Sequence, residues 1–483
     1  TSAGTGSWTR AYEHRGPAVT GSFSSINTAL TALRYNRVAM DTASQNIANV
    51  NTDGYTRRRV ESATAGTPTT PAMWSRSQDA GSGVRITGTS RLTDAFIDAR
   101  VRSEHGKQSY LDVRSGVLDR LDTGIGEPSD NGLSAMMADF RQSWSDLANS
   151  PSTSAARTQV IAKAQALVTA VAAQANNFST EAGDQRTQLN GMVQDVNSIA
   201  SDLAGTNKAI AAASLDGSDA GNLLDQRDQL ALRLSELTGG KAAVNAAGGL
   251  DFSVNGVALV TGGLTGTLQV ATGVTASGAA DGNPVTFQIS DPINGTTAVP
   301  AGVGGGIGGV TDLLDKTIPG YVAGLNAVVT TLADQVNTLH ENGYDKNGAP
   351  GAAFFSYDPT DPSGTLTVAI TQPDQLAASS LPGGVVDGAN ADALSGLTDA
   401  ESAYQQLVTG FGAAVASEKQ VTASQQALTD QVDGSHEQLA GVDLDEETLS
   451  LVQYQRGYEA AARVLTTVDS MLDTLINHTG LVG

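Results

Sequence analysis

Apolar positions in this chain recur at alternating intervals of three and four, the spacing that puts them on one side of a helix. The first such stripe is Ile26, Ala29, Leu33, Asn36, Met40, Ala43, Ile47 and Val50, and it predicts a helix over residues 21–50. Ser22 or Ser24 is placed to cap its start, and Asn51-Thr-Asp53-Gly54 is a strong stop signal. The last stripe is the most regular: Leu451, Tyr454, Tyr458, Ala461, Leu465, Val468, Leu472 and Leu475. It predicts a helix over 444–476, about 50 Å long at ~1.5 Å per residue. Asp445, Glu446 and Glu447 fall in its first turn, where the helix dipole favours acidic groups.

Between these ends the pattern predicts helices over 92–121, up to about 149 after a loop at 124–132, and over 152–238. Leu189, Met192, Val196, Ile199, Leu203 and Ile210 keep heptad spacing in the last of these, which suggests coiled-coil-like packing of long helices. Helix resumes near 311, with Tyr321, Leu325, Val328, Leu332 and Leu339 on one face, and again over 400–432. Residues 241–310 carry short apolar runs between turn residues instead. A hairpin is expected around Asn255-Gly256, a strand at 285–289, and a flexible glycine linker at 302–309. Residues 61–90 read as extended chain and turns, and 352–357 and 365–370 as strands.

The expected fold is therefore mainly α, with a smaller β-rich outer domain and a long helical bundle built from both chain ends. The expected domains are 21–60 with 440–483 (terminal helices), 61–240 with 311–439 (helical core) and 241–310 (β-rich). Residues 1–20 lack periodicity and read as a disordered leader or an artificial scar. A stripe at each end makes a marginal helix alone, so the termini are expected to pair with each other and with neighbouring copies. An ordinary intramolecular helix pair would have the same spacing.

Charge narrows the function. Fifty acidic residues against 28 basic ones give a net charge of −22, which argues against nucleic acid and anionic membranes. No apolar run is long enough to span a bilayer, and residues 1–20 lack the apolar core of a secretory signal. With no cysteine, disulfides and thiol chemistry are excluded. The five histidines, His14, His105, His340, His436 and His478, have no i, i+4 partner and read as solvated or capping groups. Asp345-Lys-Asn-Gly348 lacks the glycine and closing glutamate of a calcium loop and reads as a turn. No phosphate loop, dinucleotide fingerprint or catalytic triad can be assigned, so neither an enzymatic activity nor a cofactor is expected. Arg57-Arg58-Arg59 reads as a solvated edge or as an ion-pair site at an interface.

The segment Ala43-Ser-Gln-Asn-Ile-Ala-Asn-Val-Asn-Thr-Asp-Gly-Tyr-Thr-Arg57 resembles the N-terminal signature of flagellar rod, hook and hook-associated proteins, through Asn46, Asn49, Gly54 and Tyr55. Asn222-Leu-Leu-Asp-Gln-Arg-Asp-Gln-Leu230 is similar to a hallmark of the FlgK family of hook-associated proteins, through Leu224, Asp225, Arg227 and Asp228. The stretch from Leu439 to Glu447, with Asp443, Asp445 and Glu446, is similar to that family's C-terminal segment. The resemblance covers about residues 21–480 and implies a non-enzymatic structural protein of the bacterial flagellum. Such a protein leaves the cell by type III flagellar export and polymerises at the hook–filament junction. It implies as partners further copies of the chain, the hook protein, the second hook-associated junction protein, and an export chaperone at the C-terminal region. On this reading Ile26, Leu33, Met40 and Ile47 face Leu451, Tyr454, Tyr458, Leu465, Val468, Leu472 and Leu475 in the assembled inner layer. Another axial protein remains an alternative, as does a wall hydrolase carried on axial ends.

Overall fold

The computed structural model describes residues 20–65, 83–291, 295–300 and 302–478, with side chains from residue 25. The expected leader, apart from its last residue, and the candidate caps Ser22 and Ser24 lie outside the residues and side chains described. Helix α1 is Thr20–Ala48, followed by the antiparallel strands β1 (Arg58–Thr64) and β2 (Val84–Arg91). Four long helices follow: α2 (Ala95–Ile125), α3 (Leu133–Asn149), α4 (Ser154–Asp216) and α5 (Gly221–Thr238). The single helix expected over 152–238 is broken at Gly217, a left-handed residue (φ 74°) that ends α4.

The β-rich segment holds β3 (Lys241–Val244), β4 (Leu250–Val254), β5 (Val257–Thr261) and β6 (Leu264–Thr265) in one antiparallel sheet of that order. A second sheet has β7 (Thr267–Thr272), β8 (Thr286–Asp291) and β9 (Gly295–Ala298). Asn255 and Gly256 form the β4–β5 turn with φ of 47° and 85°, the positive values a tight hairpin demands. Next come α6 (Gly305–Asp312), a π-helical turn (Leu313–Thr317), α7 (Ile318–Asn342), β10 (Phe355–Ser356), α8 (Pro362–Thr365), β11 (Thr367–Val368) and α9 (Ala389–Ser395). The chain closes with α10 (Asp399–Ala440) and α11 (Leu444–Asp473).

The glycine run expected to be a flexible linker is instead the buried helix α6, in which Gly305 to Val310 are all buried. A Cβ at Gly306 would lie 2.7 Å from Met192 Cε, and one at Gly309 would lie 2.7 Å from the Tyr110 carbonyl oxygen. Close packing against α2 and α4, which favours residues without side chains, offsets the poor helix propensity of glycine.

The chain divides into two compact units. The larger comprises Phe96–Ser218 and Gln226–Gly434 and holds two apolar cores. One core gathers α3, the first half of α4, α7 and α10 around Phe140, Trp144, Phe178, Tyr321 and Phe354. The other sets Leu189, Val196 and Leu203 of α4 against Leu250, Phe252, Leu268 and Phe287 of the two sheets. The heptad seam of α4 therefore packs largely on β-structure rather than on another long helix. Asn197 and Asn207 of α4 fix that contact: each side chain both accepts from and donates to strand or turn backbone at 2.7–2.9 Å. The smaller unit is Thr1–Ala95, Asp219–Asp225 and Ser435–Gly483. It carries the terminal helices through β2, whereas the sequence reading ended that part at 60.

Candidate functional site

In the smaller unit α1 and α11 run antiparallel. Asn46 meets Glu447 at 3.1 Å, and further along Tyr35 packs edge-on against Tyr454 with ring centroids 6.2 Å apart. Partners thus move backward on one helix as they move forward on the other. At Gly457 the helices come so close that a Cβ would lie 2.6 Å from Asn36 Oδ1. Small residues fill the seam: Ala29, Ala39, Ala43 and Ala461 are buried. Ile26, Leu33, Met40, Ile47, Leu451, Tyr454, Leu465, Val468 and Leu472 are only half-buried, and Tyr458 is exposed. The Leu475 side chain lies outside the described residues. Leu30, Leu449, Val452, Val464 and Met471 are exposed apolar groups on the same two helices. Two helices by themselves have too little surface to cover both faces of each other.

A polar knot ties the N-terminal motif to the C-terminal one. Asn46, 1% exposed, uses both ends of its amide. Its Oδ1 accepts from the Tyr55 hydroxyl at 2.8 Å and the Arg58 backbone N–H at 3.1 Å. Its Nδ2 donates to the Arg58 carbonyl at 2.9 Å and to Glu447 Oε2 at 3.1 Å. Arg57 bridges to Glu447 at 2.6 Å and to Glu446 at 2.7 Å, and its backbone N–H donates to the Ala440 carbonyl at 2.8 Å. Asp443 caps α11 by accepting from the N–H groups of Asp445 and Glu446 at 2.8 and 3.1 Å.

The motif in α5 joins the same knot. Arg58 donates to Asp225 at 2.8 Å and to Asn222 at 2.5 Å, its guanidinium 5.2 Å from the centre of the Tyr55 ring. Arg91 pairs with the other Asp225 oxygen at 2.8 Å. Two cations on one buried carboxylate are an arrangement in which buried charge is tolerated, because each charge faces an opposite one. Burial, foremost, raises the Tyr55 phenol above its usual range, so it stays a hydrogen-bond donor.

The other motif residues have local tasks. Asn49 donates to the Gln45 carbonyl at 2.9 Å, Gly54 takes φ 72° in the turn, and Leu224 is half-buried. Arg227 and Asp228 belong to the larger unit, where Arg227 grips the Asp228 carboxylate at 2.7 Å and donates to the Gly248 carbonyl at 2.5 Å. Of the arginine run, Arg57 and Arg58 form ion pairs within the unit, while Arg59 pairs with Glu61 of its own strand at 3.1 Å. The roles of Arg91, Asn222 and Glu447 were not foreseen. Asn222 and Glu447 fall inside the motif spans, but nothing local marks which carboxylate will be buried.

Two histidine readings are corrected. His340 is wholly buried: Nδ1 lies 2.6 Å from the Ala352 carbonyl and Nε2 accepts from the Ala377 N–H at 2.9 Å. Burial pushes it down to about 4, so it is a neutral core residue. His105 sits between two carboxylates, Asp433 at 3.0 Å and Glu236 at 3.5 Å. Residues 345–348 form the expected turn, with Asp345 accepting from the N–H groups of Asn347 and Ala349 at 2.8 Å. Among the described residues no group of three or more His, Cys, Asp or Glu side chains is placed to hold a metal ion. No described helix is long and apolar enough to cross a membrane.

What the knot can do is hold three distant segments in one register. Parts of the chain match families of known proteins. Residues 118–355 match the flagellar hook-associated protein FlgK helical domain. Residues 26–56 match the flagella basal body rod protein family, and 438–478 match the flagellar basal body rod FlgEFG protein C-terminal family. Flagellar hook-associated protein 1 of Bacillus subtilis is 28% identical over 96% of this chain and all of its own length. Its counterpart in Escherichia coli is 26% identical over 94% of this chain and 99% of its own. The solved flagellar hook junction protein FlgK of Burkholderia pseudomallei shares the fold, with a TM-score of 0.61 at 17% identity over 70% of this chain and 99% of that one. The chain belongs to the FlgK family of flagellar hook-associated proteins.

Proposed function

We propose that this chain is the structural junction subunit of the bacterial flagellum: it polymerises on the distal end of the hook and connects hook to filament. The observation that carries the reading is the α1–α11 pair, whose seam is half-buried and whose outer faces hold exposed apolar side chains. Such a pair is completed by neighbours of the same kind. Its partners on this reading are further copies, the hook protein, the second hook-associated junction protein and, before export, a chaperone on the C-terminal region. The subunit travels unfolded through the type III flagellar channel to the cell exterior and performs no catalysis. Ordering the two helices costs about 1–2 kcal/mol per residue of backbone entropy, which contacts within the pair offset in part and subunit contacts complete at the growing end.

Leu465→Asp tests this directly. It places a charge in the seam while leaving the cores of the larger unit untouched. Cells carrying it are expected to make hooks without filaments and to shed flagellin into the medium, as seen by electron microscopy and immunoblot. Normal filaments on the mutant would remove the terminal pair from the junction.

A further inference from the structure

A cavity of about 650 Å³ lies wholly in the larger unit. That is within the roughly 300–1,000 Å³ typical of ligand sites. One wall is the face of α2 bearing Arg102, Lys107 and Tyr110; the opposite wall is Gly239 to Ala242, where α5 passes into β3. Gly304, Gly305 and Gln425 also line it. The lining is largely apolar apart from its cations. Lys107 is neutralised by Glu104 at 3.1 Å, which also accepts from Gln425 at 2.8 Å. Arg102 and Lys241 make no ion pair with a described residue.

Arg102 is the unusual group. Burial lowers its affinity for a proton, and the carboxylates of Asp98 and Asp228 only oppose this from longer range, with Arg227 acting against them. A guanidinium that lines a cavity and has no ion-pair partner among the described residues is a site for a carboxylate. β3 is also an edge strand, paired only with β4. Its exposed residues include Val244, 61% accessible. An unpaired edge beside an apolar, cationic groove fits an extended acidic segment.

We propose that this groove receives an acidic segment of a second copy of the chain in the assembled junction, its carboxylate pairing with Arg102 and Lys241. The choice of a second copy rests on charge complementarity. With 50 acidic and 28 basic residues, a neighbouring copy presents mainly carboxylates, and Arg102 and Lys241 offer them cations in an apolar setting. The inference rests on the junction reading above and adds to it a contact outside the terminal helices.

The absence of cysteine makes a direct test available. In Lys241→Cys the new thiol is the only one, and its rate of maleimide labelling is compared between monomer and chain assembled on purified hook ends. Labelling is expected to slow by about tenfold or more on assembly, and Arg102→Gln to raise the concentration needed for assembly by about tenfold, with Arg102→Lys restoring part of it. Equal melting of Arg102→Gln and the parent chain shows that folding is intact. Assembly with labelling as fast as in the monomer, or Arg102→Gln assembling like the parent, overturns this inference alone. A parent chain that does not assemble on hook ends overturns the junction reading and this contact with it.

Discussion

The two units of this chain hold themselves together by different means. In the larger, aliphatic and aromatic side chains disappear completely into two cores, and Trp144, Leu147, Leu167 and Phe252 are at most 1% exposed. Its buried cation Arg157 is held by backbone, donating to the carbonyls of Pro151 and Leu376 at 2.9 and 2.7 Å. In the smaller unit the larger apolar side chains of the seam stay half-buried, and buried ionic contacts join the alanines: Arg57 with Glu447, and Arg58 and Arg91 with Asp225. The contrast separates two tasks. A unit that must be folded in a single copy closes its own core. A unit that waits for neighbours leaves apolar surface uncovered and uses directional polar contacts to fix register in the meantime. Ion pairs suit that role because removing one partner is costly while the intact pair adds little net stability.

The largest effect expected is in the closed core. Trp144 packs on Phe140, Phe354 and His340 with centroids 5.6–6.2 Å apart. Trp144→Ala should destabilise the larger unit by about 3–5 kcal/mol, measured by urea unfolding. A loss under about 1 kcal/mol would mean that the core tolerates a void, and the contrast with the open unit would fail.

A smaller effect, in the other unit, sharpens the comparison. Glu447→Ala leaves Asn46 and Arg57 without their buried acceptor. The cost should be about 2–3 kcal/mol, toward the low end for a buried pair because Arg57 keeps Glu446 and water. Hydrogen exchange is expected to speed up across α1 and α11 while amides beside Trp144 keep their protection. Unchanged protection in α1 would show that the alanine seam, not the knot, holds the pair.

The sequence displayed these two regimes unevenly. Periodicity reveals which residues face inward, so α1, α3 and α11 were legible to within a few residues, as was the Asn255-Gly256 hairpin. It does not reveal what they face: the α4 seam was read as a helix–helix contact and packs against sheets. Composition misled at residues 302–309, because glycine marks both flexibility and close approach, and only the neighbours Met192 and Tyr110 decide between them. At the knot the motifs located Asn46, Asp225 and Asp443. The pairings Asn46–Glu447 and Arg58–Asp225 span 401 and 167 positions, and no local pattern encodes a contact across such a distance.

The smallest effect concerns pH, and the two misread histidines give it opposite signs. His105 of α2 faces Glu236 of α5 and Asp433 of α10, and Glu236 also meets Arg233 at 3.4 Å. Glu236 first, then Asp433, stabilises the imidazolium and raises it to about 9, against partial burial. A group raised above its unfolded value of about 6.5 contributes fully below that pH and loses its contribution as pH climbs through 9. Because the ring is about a quarter exposed to water, we expect about 1–2 kcal/mol rather than the full shift. His340 behaves in the reverse sense: its contribution is present above about 6.5 and lost as pH falls toward 4. His105→Gln should therefore flatten the decline in unfolding free energy between about pH 7 and 10 while leaving the acid side unchanged. Parallel curves for mutant and parent across that range would mean that the two carboxylates do not hold the charge. The alkaline limit of the larger unit would then belong to its tyrosines and lysines instead.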